Sequence, residues 1–195
     1  MIARTAKSAM WVLLRTVYRI EVHGRANIPD GPAILTPNHV SYIDAILIAA
    51  HIQRPMRFAM YWKIYNRTKW LVAPMGAFPI ASRKENQAVY NAAFVTMSRA
   101  LHAGELVCLF PEGMITLDGH MNEFKHGISK VLESSPVPVV PIGLRGLWGS
   151  YFSKKKRGLF KLPDHFMAKI EMVVGVPLAP TVPVHELELA VADLL

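Results

Sequence analysis

The residues best suited to chemistry lie together in residues 38–44, which read Asn-His-Val-Ser-Tyr-Ile-Asp. His39 precedes Asp44 by five residues, and apolar runs stand on both sides of the pair. Imidazole is the side chain best able to accept a proton near neutral pH. A neighbouring carboxylate can fix the tautomer of the ring and stabilise it once it is charged. Without a nucleophilic Ser or Cys motif, such a pair would activate a hydroxyl group of the substrate itself.

A purely structural role would explain the same seven residues. Asp44 stands where an apolar helix is predicted to begin, and aspartate is a frequent cap at such a position. A histidine beside it is often only a hydrogen-bonded polar residue. The heptapeptide alone therefore leaves catalysis and helix capping open, and the rest of the chain has to decide between them.

The elements that would position this pair alternate along the chain. Short β-rich apolar runs predict strands, and a 3.6-residue period predicts helices. Strands are predicted at 20–25, 33–36, 56–60, 78–81, 106–110, 137–144 and 170–176, helices at 42–51, 85–103, 122–133 and 184–195, and short helices with loops at 61–75. This alternation predicts an α/β fold, and the length suits a single domain over residues 1–195.

Residues 1–25 are predicted to form an interfacial helix and its lead-in to the domain. Within residues 2–20 the apolar side chains share one side of a helix, and four basic side chains share the other. Such a helix can lie in the plane of a bilayer or pack on the core of its own domain, and both remain open. No apolar run of the chain approaches the roughly 18 residues that span a bilayer.

The net charge of +8 is unevenly distributed. Residues 45–84 hold seven basic residues and no acidic one, namely Arg54, Arg57, Lys63, Arg67, Lys69, Arg83 and Lys84. Such clustering indicates an anionic partner, for which nucleic acid and anionic lipid are the usual candidates, or else a solvated basic face. No nucleic-acid-binding motif is present, whereas aromatic residues beside the bases suit a membrane interface.

The sequence gives little support for a disulfide, a metal site or serine-hydrolase catalysis. The single cysteine, Cys108, excludes an internal disulfide and suits a reducing compartment. Its apolar surroundings favour a buried structural role. His120, Glu123 and His126 match no zinc-site spacing, so no metal site is predicted. The chain also lacks the Gly-x-Ser-x-Gly turn that serine hydrolases use.

Three further segments join the heptapeptide in a fixed order. Gly76-Ala77-Phe78-Pro79-Ile80 precedes Arg83-Lys84, Phe110-Pro111-Glu112-Gly113 follows a predicted strand with Phe124-Lys125 and Gly127 after it, and Val139–Leu144 is the last apolar run. Together these blocks resemble the glycerolipid acyltransferase family, whose members acylate glycerol 3-phosphate or lysophosphatidic acid. The resemblance covers residues 38–144 and implies the mixed sheet flanked by helices of the glycerol-3-phosphate acyltransferase type.

The resemblance implies a role for each matching residue. His39 would be the general base and Asp44 its orienting carboxylate, so that a glycerol hydroxyl attacks the thioester of acyl-CoA or acyl-ACP without an acyl-enzyme. Donors near Asn38 and Ser41 would stabilise the oxyanion. Glu112 and Gly113 would bind the glycerol backbone. The remaining substrate-binding residues would be Arg83 and Lys84, which hold the acceptor phosphate, together with Gly76, Phe78 and Lys125.

Two departures from the family pattern bear on the acceptor. Arg83 follows Gly76 by seven residues where the family has six, and Ile115 stands where the family has a phosphate-binding arginine. One fewer guanidinium suits a phosphate diester, which carries less charge than a monoester. Residues 114–124 resemble the acyltransferase domain of the bacterial 2-acylglycerophosphoethanolamine acyltransferase/acyl-ACP synthetase. That domain is fused to an acyl-activating domain, so this chain is expected to come from a longer multidomain protein.

The sequence therefore predicts transfer of a fatty acyl group to a lysophospholipid of the lysophosphatidylethanolamine type. The enzyme would act without a resident cofactor, peripherally at the cytoplasmic face of the bacterial inner membrane. One alternative is a 1-acylglycerol-3-phosphate acyltransferase that makes phosphatidic acid. A non-enzymatic alternative is a lipid-binding, membrane-tethering module, which would have no need of the His39–Asp44 pair. A nucleic-acid-binding protein is the third alternative.

Overall fold

A computed structural model describes residues 14–150, 153 and 167–195 of the chain. Its strands are β1 (Arg19–His23), β2 (Ala33–Pro37), β3 (Met56–Tyr61), β4 (Ala77–Ile80), β5 (Leu106–Cys108), β6 (Val139–Arg145) and β7 (Lys169–Val174). Its helices are α1 (Asp44–His51), α2 (Trp62–Val72), α3 (Gln87–His102), α4 (Gly127–Ser134) and α5 (Val184–Ala192). In the described residues the strands form one sheet in the order β1-β7-β6-β2-β5-β3-β4.

The sheet is mixed, as predicted. The pairs β1–β7, β6–β2, β2–β5, β5–β3 and β3–β4 are parallel, and β6–β7 is antiparallel. Because β2, β3, β4, β5 and β6 run in the same direction, the loops that follow them meet at one edge of the sheet. Ligand sites of parallel sheets lie at this carboxyl edge, and the loops after β2 and β5 carry two of the predicted motifs.

The central strands are buried on both faces of the sheet. Ile34 of β2 joins a cluster with Met97 of α3 and Val139 of β6. Leu35, the next residue along β2, joins the opposite cluster, which includes Leu47 of α1. Successive side chains of a strand point to opposite faces, so burial on both sides requires the continuous apolar runs seen in the sequence.

Two predicted segments differ most from the structure. The segment 61–75, expected as short helices with loops, contains one regular helix, α2, which begins at Trp62 and is followed by a 3₁₀ turn at Ala73–Met75. The helix expected from Asn122 begins only at Gly127, because the backbone of residues 122–126 takes an irregular path. The N–H of Asn122 donates to the carboxylate of Glu112 rather than to a helical carbonyl.

The predicted N-terminal helix lies mostly outside the described residues. Residues 14–17 are helical, and Leu14 and Tyr18 are buried against the core. In the part of the chain that the structure describes, no helix is long and apolar enough to cross a bilayer. Cys108 is fully buried in β5, and burial raises the pKa of its thiol. This environment agrees with the structural role expected from the sequence.

Gly76 is required by the turn into β4. Its φ of 101° lies in the left-handed region, and a Cβ atom there would stand 2.4 Å from the carbonyl oxygen of Met56. The turn precedes β4, so Gly76 lies at the amino edge of the sheet, opposite the loops that follow the strands. Phe78, two residues further on, is buried in the core. Both positions are therefore explained by the fold.

We predict that Gly76→Ala lowers the free energy of unfolding by roughly 2–4 kcal/mol, because it adds a backbone collision to an unfavourable φ. Gly104→Ala is the matched control, since Gly104 has a φ of 77° but nothing within 4 Å of the added methyl group. This control should cost only about 1–2 kcal/mol. Urea unfolding measures both changes, and equal losses would show that the contact with Met56 is not what excludes a side chain.

Candidate functional site

The predicted catalytic pair is formed. Nδ1 of His39 lies 2.8 Å from Oδ2 of Asp44. The imidazole is 20% exposed, whereas the carboxylate is fully buried behind it. In the described parts of the chain, Nε2 makes no hydrogen bond. With Asp44 ionised, the ring donates from Nδ1 and presents the lone pair of Nε2, the arrangement a general base needs.

The loop between β2 and α1 is folded around the Asp44 carboxylate. The backbone N–H groups of Val40 and Ser41 donate to the same Oδ2 atom at 2.8 and 2.9 Å. Asp44 is also the first residue of α1, where the positive end of the helix dipole favours a negative charge. Asp44 therefore begins helix α1, as the structural explanation requires, and also hydrogen-bonds to the imidazole of His39.

Burial and hydrogen bonding act in opposite directions on Asp44. Burial raises the pKa of its carboxyl above the ordinary value, and the hydrogen bonds from His39, Ser41 and Val40 lower it by a smaller amount. Oδ1 is buried and has no hydrogen-bond partner among the described residues. The charged form is therefore costly, and its stability depends on the three donors gathered at Oδ2.

Glu112, in the segment that follows β5, ties the loop carrying His39 to Asn122. Its Oε1 accepts the backbone N–H of His39 at 2.6 Å, and its Oε2 accepts the backbone and side-chain N–H groups of Asn122 at 2.7 and 2.8 Å. Burial raises the pKa of Glu112, and the donors of Asn122 and His39 oppose that rise. Both oxygens are thus engaged within the protein, which favours a positioning role for a residue expected to bind glycerol.

The Phe110 ring fixes the plane of the imidazole. The two ring centroids are 4.0 Å apart, with 26° between the planes. Phe110 follows β5, which is hydrogen-bonded to β2, so the stacking depends on the order of strands in the sheet. Sequence reasoning included Phe110 in a motif but gave it no role. Asn122 was missed as well, because nothing local indicates that its amide faces Glu112.

Asn38 and Ser41 serve the scaffold in this conformation. The Asn38 amide is buried against the backbone of Leu144, accepting its N–H at 2.7 Å and donating to its carbonyl at 3.1 Å. Ser41 is fully buried, with its backbone N–H on Asp44 and its hydroxyl oxygen 3.4 Å from the N–H of Ile43. These contacts leave the side chains of both residues turned toward protein atoms.

The remaining predicted residues divide between the two edges of the sheet. Gly76 and Phe78 belong to the amino edge and the core. Arg83 and Lys84 follow β4 and lie exposed at the carboxyl edge, as His39 does. Three strand spacings separate β4 from β2, about 14 Å, and Nε of Arg83 donates to Gln87 at 3.0 Å. The structure therefore brings these bases to the same edge without direct contact with the catalytic pair.

An open cavity of about 460 Å³ lies beside Glu112. Its lining residues are Glu112, Met114, Asn122, Glu123, Phe124, Lys125 and His126. The Lys125 ammonium group lies over Gly113, 2.7 Å from where a Cβ atom of that residue would stand. This cavity is joined to the backbone of His39 through Glu112. Its size suits a small polar head group.

Ile115 does not face this cavity. Its side chain is buried, next to Thr116, whose N–H donates to the carbonyl oxygen of His39 at 2.9 Å. An arginine at this position would have to be buried or would displace the segment. Lys125, which lines the cavity, is therefore a more suitable residue than Ile115 for testing how the charge of the site affects the choice of acceptor.

Known proteins resemble this chain in sequence and in structure. A model of the acyltransferase family matches residues 19–145. A probable 1-acyl-sn-glycerol-3-phosphate acyltransferase of Mycoplasma pneumoniae is 26% identical over 79% of this chain and 59% of its own length. A chloroplastic 1-acyl-sn-glycerol-3-phosphate acyltransferase of Arabidopsis thaliana is 30% identical over 66% of this chain and 36% of its own length. The chain thus spans at most about three fifths of these relatives.

A solved structure confirms the predicted fold type. The crystal structure of the 1-acyl-sn-glycerophosphate acyltransferase PlsC from Thermotoga maritima has a TM-score of 0.69 with 18% identity, covering 98% of this chain and 76% of that one. The matched family model includes every predicted site residue, from Asn38 to Lys125. The matched residues include most of the sheet and the whole His39–Asp44 site. This chain therefore belongs to the acyltransferase family.

Proposed function

We propose that this chain catalyses transfer of a fatty acyl group from a thioester to a free hydroxyl of a glycerolipid. The observation that carries the proposal is the 2.8 Å contact between Nδ1 of His39 and the buried Asp44 carboxylate, with the imidazole partly exposed at the carboxyl edge of the sheet. A tethering module would have no use for the imidazole that Asp44 orients, because lipid binding requires no base.

The reaction needs one base and no covalent enzyme intermediate. Nε2 of His39 takes the proton of the acceptor hydroxyl as its oxygen bonds to the thioester carbonyl carbon. The tetrahedral intermediate then expels the thiolate, which receives the proton back from the imidazolium. Asp44 stabilises the charged ring between the two transfers. General-base assistance of this kind contributes about 10²–10⁴-fold in rate.

The acceptor we propose is a lysophospholipid with an esterified phosphate, of the lysophosphatidylethanolamine type. Lys125 and Glu123 line the same cavity, so a zwitterionic head group would place its phosphate at the ammonium and its amine at the carboxylate. A phosphate monoester brings more negative charge and no amine, and the acidic residue would oppose it. The donor would be acyl-ACP or acyl-CoA, and the reaction would take place at a membrane surface.

The second candidate is the acylation of 1-acylglycerol 3-phosphate to give phosphatidic acid. The names of the relatives in Mycoplasma pneumoniae and Arabidopsis thaliana favour it. Arg83 and Lys84 at the same edge of the sheet would then have to supply the additional positive charge. The two candidates share the His39 chemistry and differ only in the head group.

We predict that His39→Ala reduces acyl transfer by about 10²–10⁴-fold, because it removes the base. Thioester release from acyl-CoA or acyl-ACP in the presence of lysolipid measures the loss, and circular dichroism checks that the protein remains folded. His185→Ala, on the exposed surface of α5, is the control and should leave turnover unchanged. A folded His39→Ala protein with wild-type turnover would contradict the mechanism.

We predict that Glu123→Gln lowers turnover of lysophosphatidylethanolamine relative to lysophosphatidic acid by about two- to fivefold, the range expected for an exposed ion pair. Lys125→Gln should lower kcat/KM for both acceptors by roughly tenfold or more, because it removes a charged donor to phosphate. Glu133→Gln on α4 is the control for the lost charge. A wild-type preference for lysophosphatidic acid, with a ratio that Glu123→Gln leaves unchanged, would support the second candidate instead.

A further inference from the structure

Helix α2 exposes apolar side chains on its outward side. Trp70 is 76% exposed, Leu71 52% and Ile64 44%. On the opposite side Tyr65 and Val72 pack against the core. The outward side of a surface helix ordinarily carries charged or polar residues. Three large exposed apolar side chains there therefore indicate that this side contacts an apolar partner.

The exposed apolar residues form a continuous face with basic residues. At 100° per residue, Lys63, Arg67 and Trp70 point in nearly one direction, and Ile64 and Leu71 lie one above the other beside them. We define the α2 outer face as these five residues. Lys69 is also exposed, but at 100° per residue it lies on the opposite side of the helix from Arg67 and is not part of this face.

The charge of this surface is positive and only partly compensated. Helix α2 contains no acidic residue, and none occurs between residues 45 and 84. Lys63 pairs with Glu85 at 3.2 Å, whereas Arg67 forms no ion pair within the described residues. A partner that satisfies the surface must therefore offer hydrocarbon and negative charge side by side.

We propose that the α2 outer face docks into the interfacial region of an anionic phospholipid bilayer. A bilayer surface presents both requirements over a wide area: acyl chains for Trp70, Leu71 and Ile64, and phosphate groups for Lys63 and Arg67. An acidic protein would match the charge, but it would have to supply an apolar groove along the whole helix. The bilayer needs no such complementary shape.

The position of α2 connects this surface with the site. Helix α2 begins directly after β3, at the carboxyl edge of the sheet where His39 lies. Because α2 then runs back toward Gly76 at the amino edge, docking through the α2 outer face would lay the sheet alongside the membrane, with Lys63 and Ile64 nearest the edge that holds the site. The biological purpose of the docking rests on the proposed function, but the affinity of the face for a bilayer does not.

Co-sedimentation with vesicles tests the proposal. The vesicles contain phosphatidylcholine with a minority of phosphatidylglycerol, and pure phosphatidylcholine serves as the neutral comparison. Trp70→Ser with Leu71→Ser should lower the partition coefficient roughly tenfold or more, because two large apolar groups no longer enter the interface. Val95→Ser with Leu189→Ser, exposed apolar residues of α3 and α5, should change it by no more than about twofold.

A charge variant tests the second half of the proposal. Arg67→Gln should weaken binding to the anionic vesicles about fivefold and leave binding to neutral vesicles unchanged, since each basic residue contributes only where the surface is charged. Arg99→Gln on α3 is the matched control and should bind as the wild type does. Equal losses in the two variants would overturn the assignment to α2.

The remaining outcomes distinguish this proposal from the proposed function. Equal partitioning of wild type and the Trp70/Leu71 variant would overturn docking through α2, and so would a wild-type dimer that the variant converts to monomers. Turnover on a short-chain lysolipid below its micelle concentration should be unchanged in that variant. If the wild type transfers no acyl group to any acceptor, the proposed function fails, while the vesicle comparison still decides the docking.

Discussion

The Asp44 carboxylate is the interaction on which the rest of the site depends. One oxygen gathers the imidazole of His39 and the backbone N–H groups of Val40 and Ser41. These contacts set the path of the loop from β2 into α1, and the same contacts hold the imidazole at the edge of the sheet. A change at Asp44 would therefore alter helix start, loop path and ring orientation together. Capping and catalysis are two consequences of one buried charge.

The neighbouring strands supply the support that this loop lacks by itself. The loop after β5 contributes Glu112 to the backbone of His39 and Phe110 to its ring, and β6 holds Asn38 through Leu144. The order β6-β2-β5 is what brings these groups together. Burial raises the pKa of both Asp44 and Glu112, so the site retains its charges at a cost that the hydrogen bonds partly offset. Such a fixed arrangement limits the reorganisation needed during proton transfer.

The sequence predicted most strands and helices because their apolar periods are local properties. It also identified the His39–Asp44 pair, since five residues across a tight loop leave little freedom of placement. It could not show that Asn38 faces a backbone 106 residues away, that Ile115 is buried or that Asn122 holds Glu112. Those contacts depend on the register between β2, β5 and β6, which no local pattern specifies. Gly76 illustrates the same limit. Its position in a motif suggested a substrate-binding role, whereas its φ and the nearby carbonyl oxygen of Met56 show that the turn into β4 requires a glycine.

The most direct measurement of the central claim is the tautomer of His39, read from its ¹⁵N chemical shifts by NMR at the pH of activity. The account predicts a neutral ring protonated at Nδ1, with Nε2 carrying the lone pair. The Nδ1–H resonance should be lost or strongly shifted in Asp44→Asn, with the other histidines unchanged. A ring protonated at Nε2 in the wild type, or a tautomer indifferent to the loss of the Asp44 charge, would contradict the account.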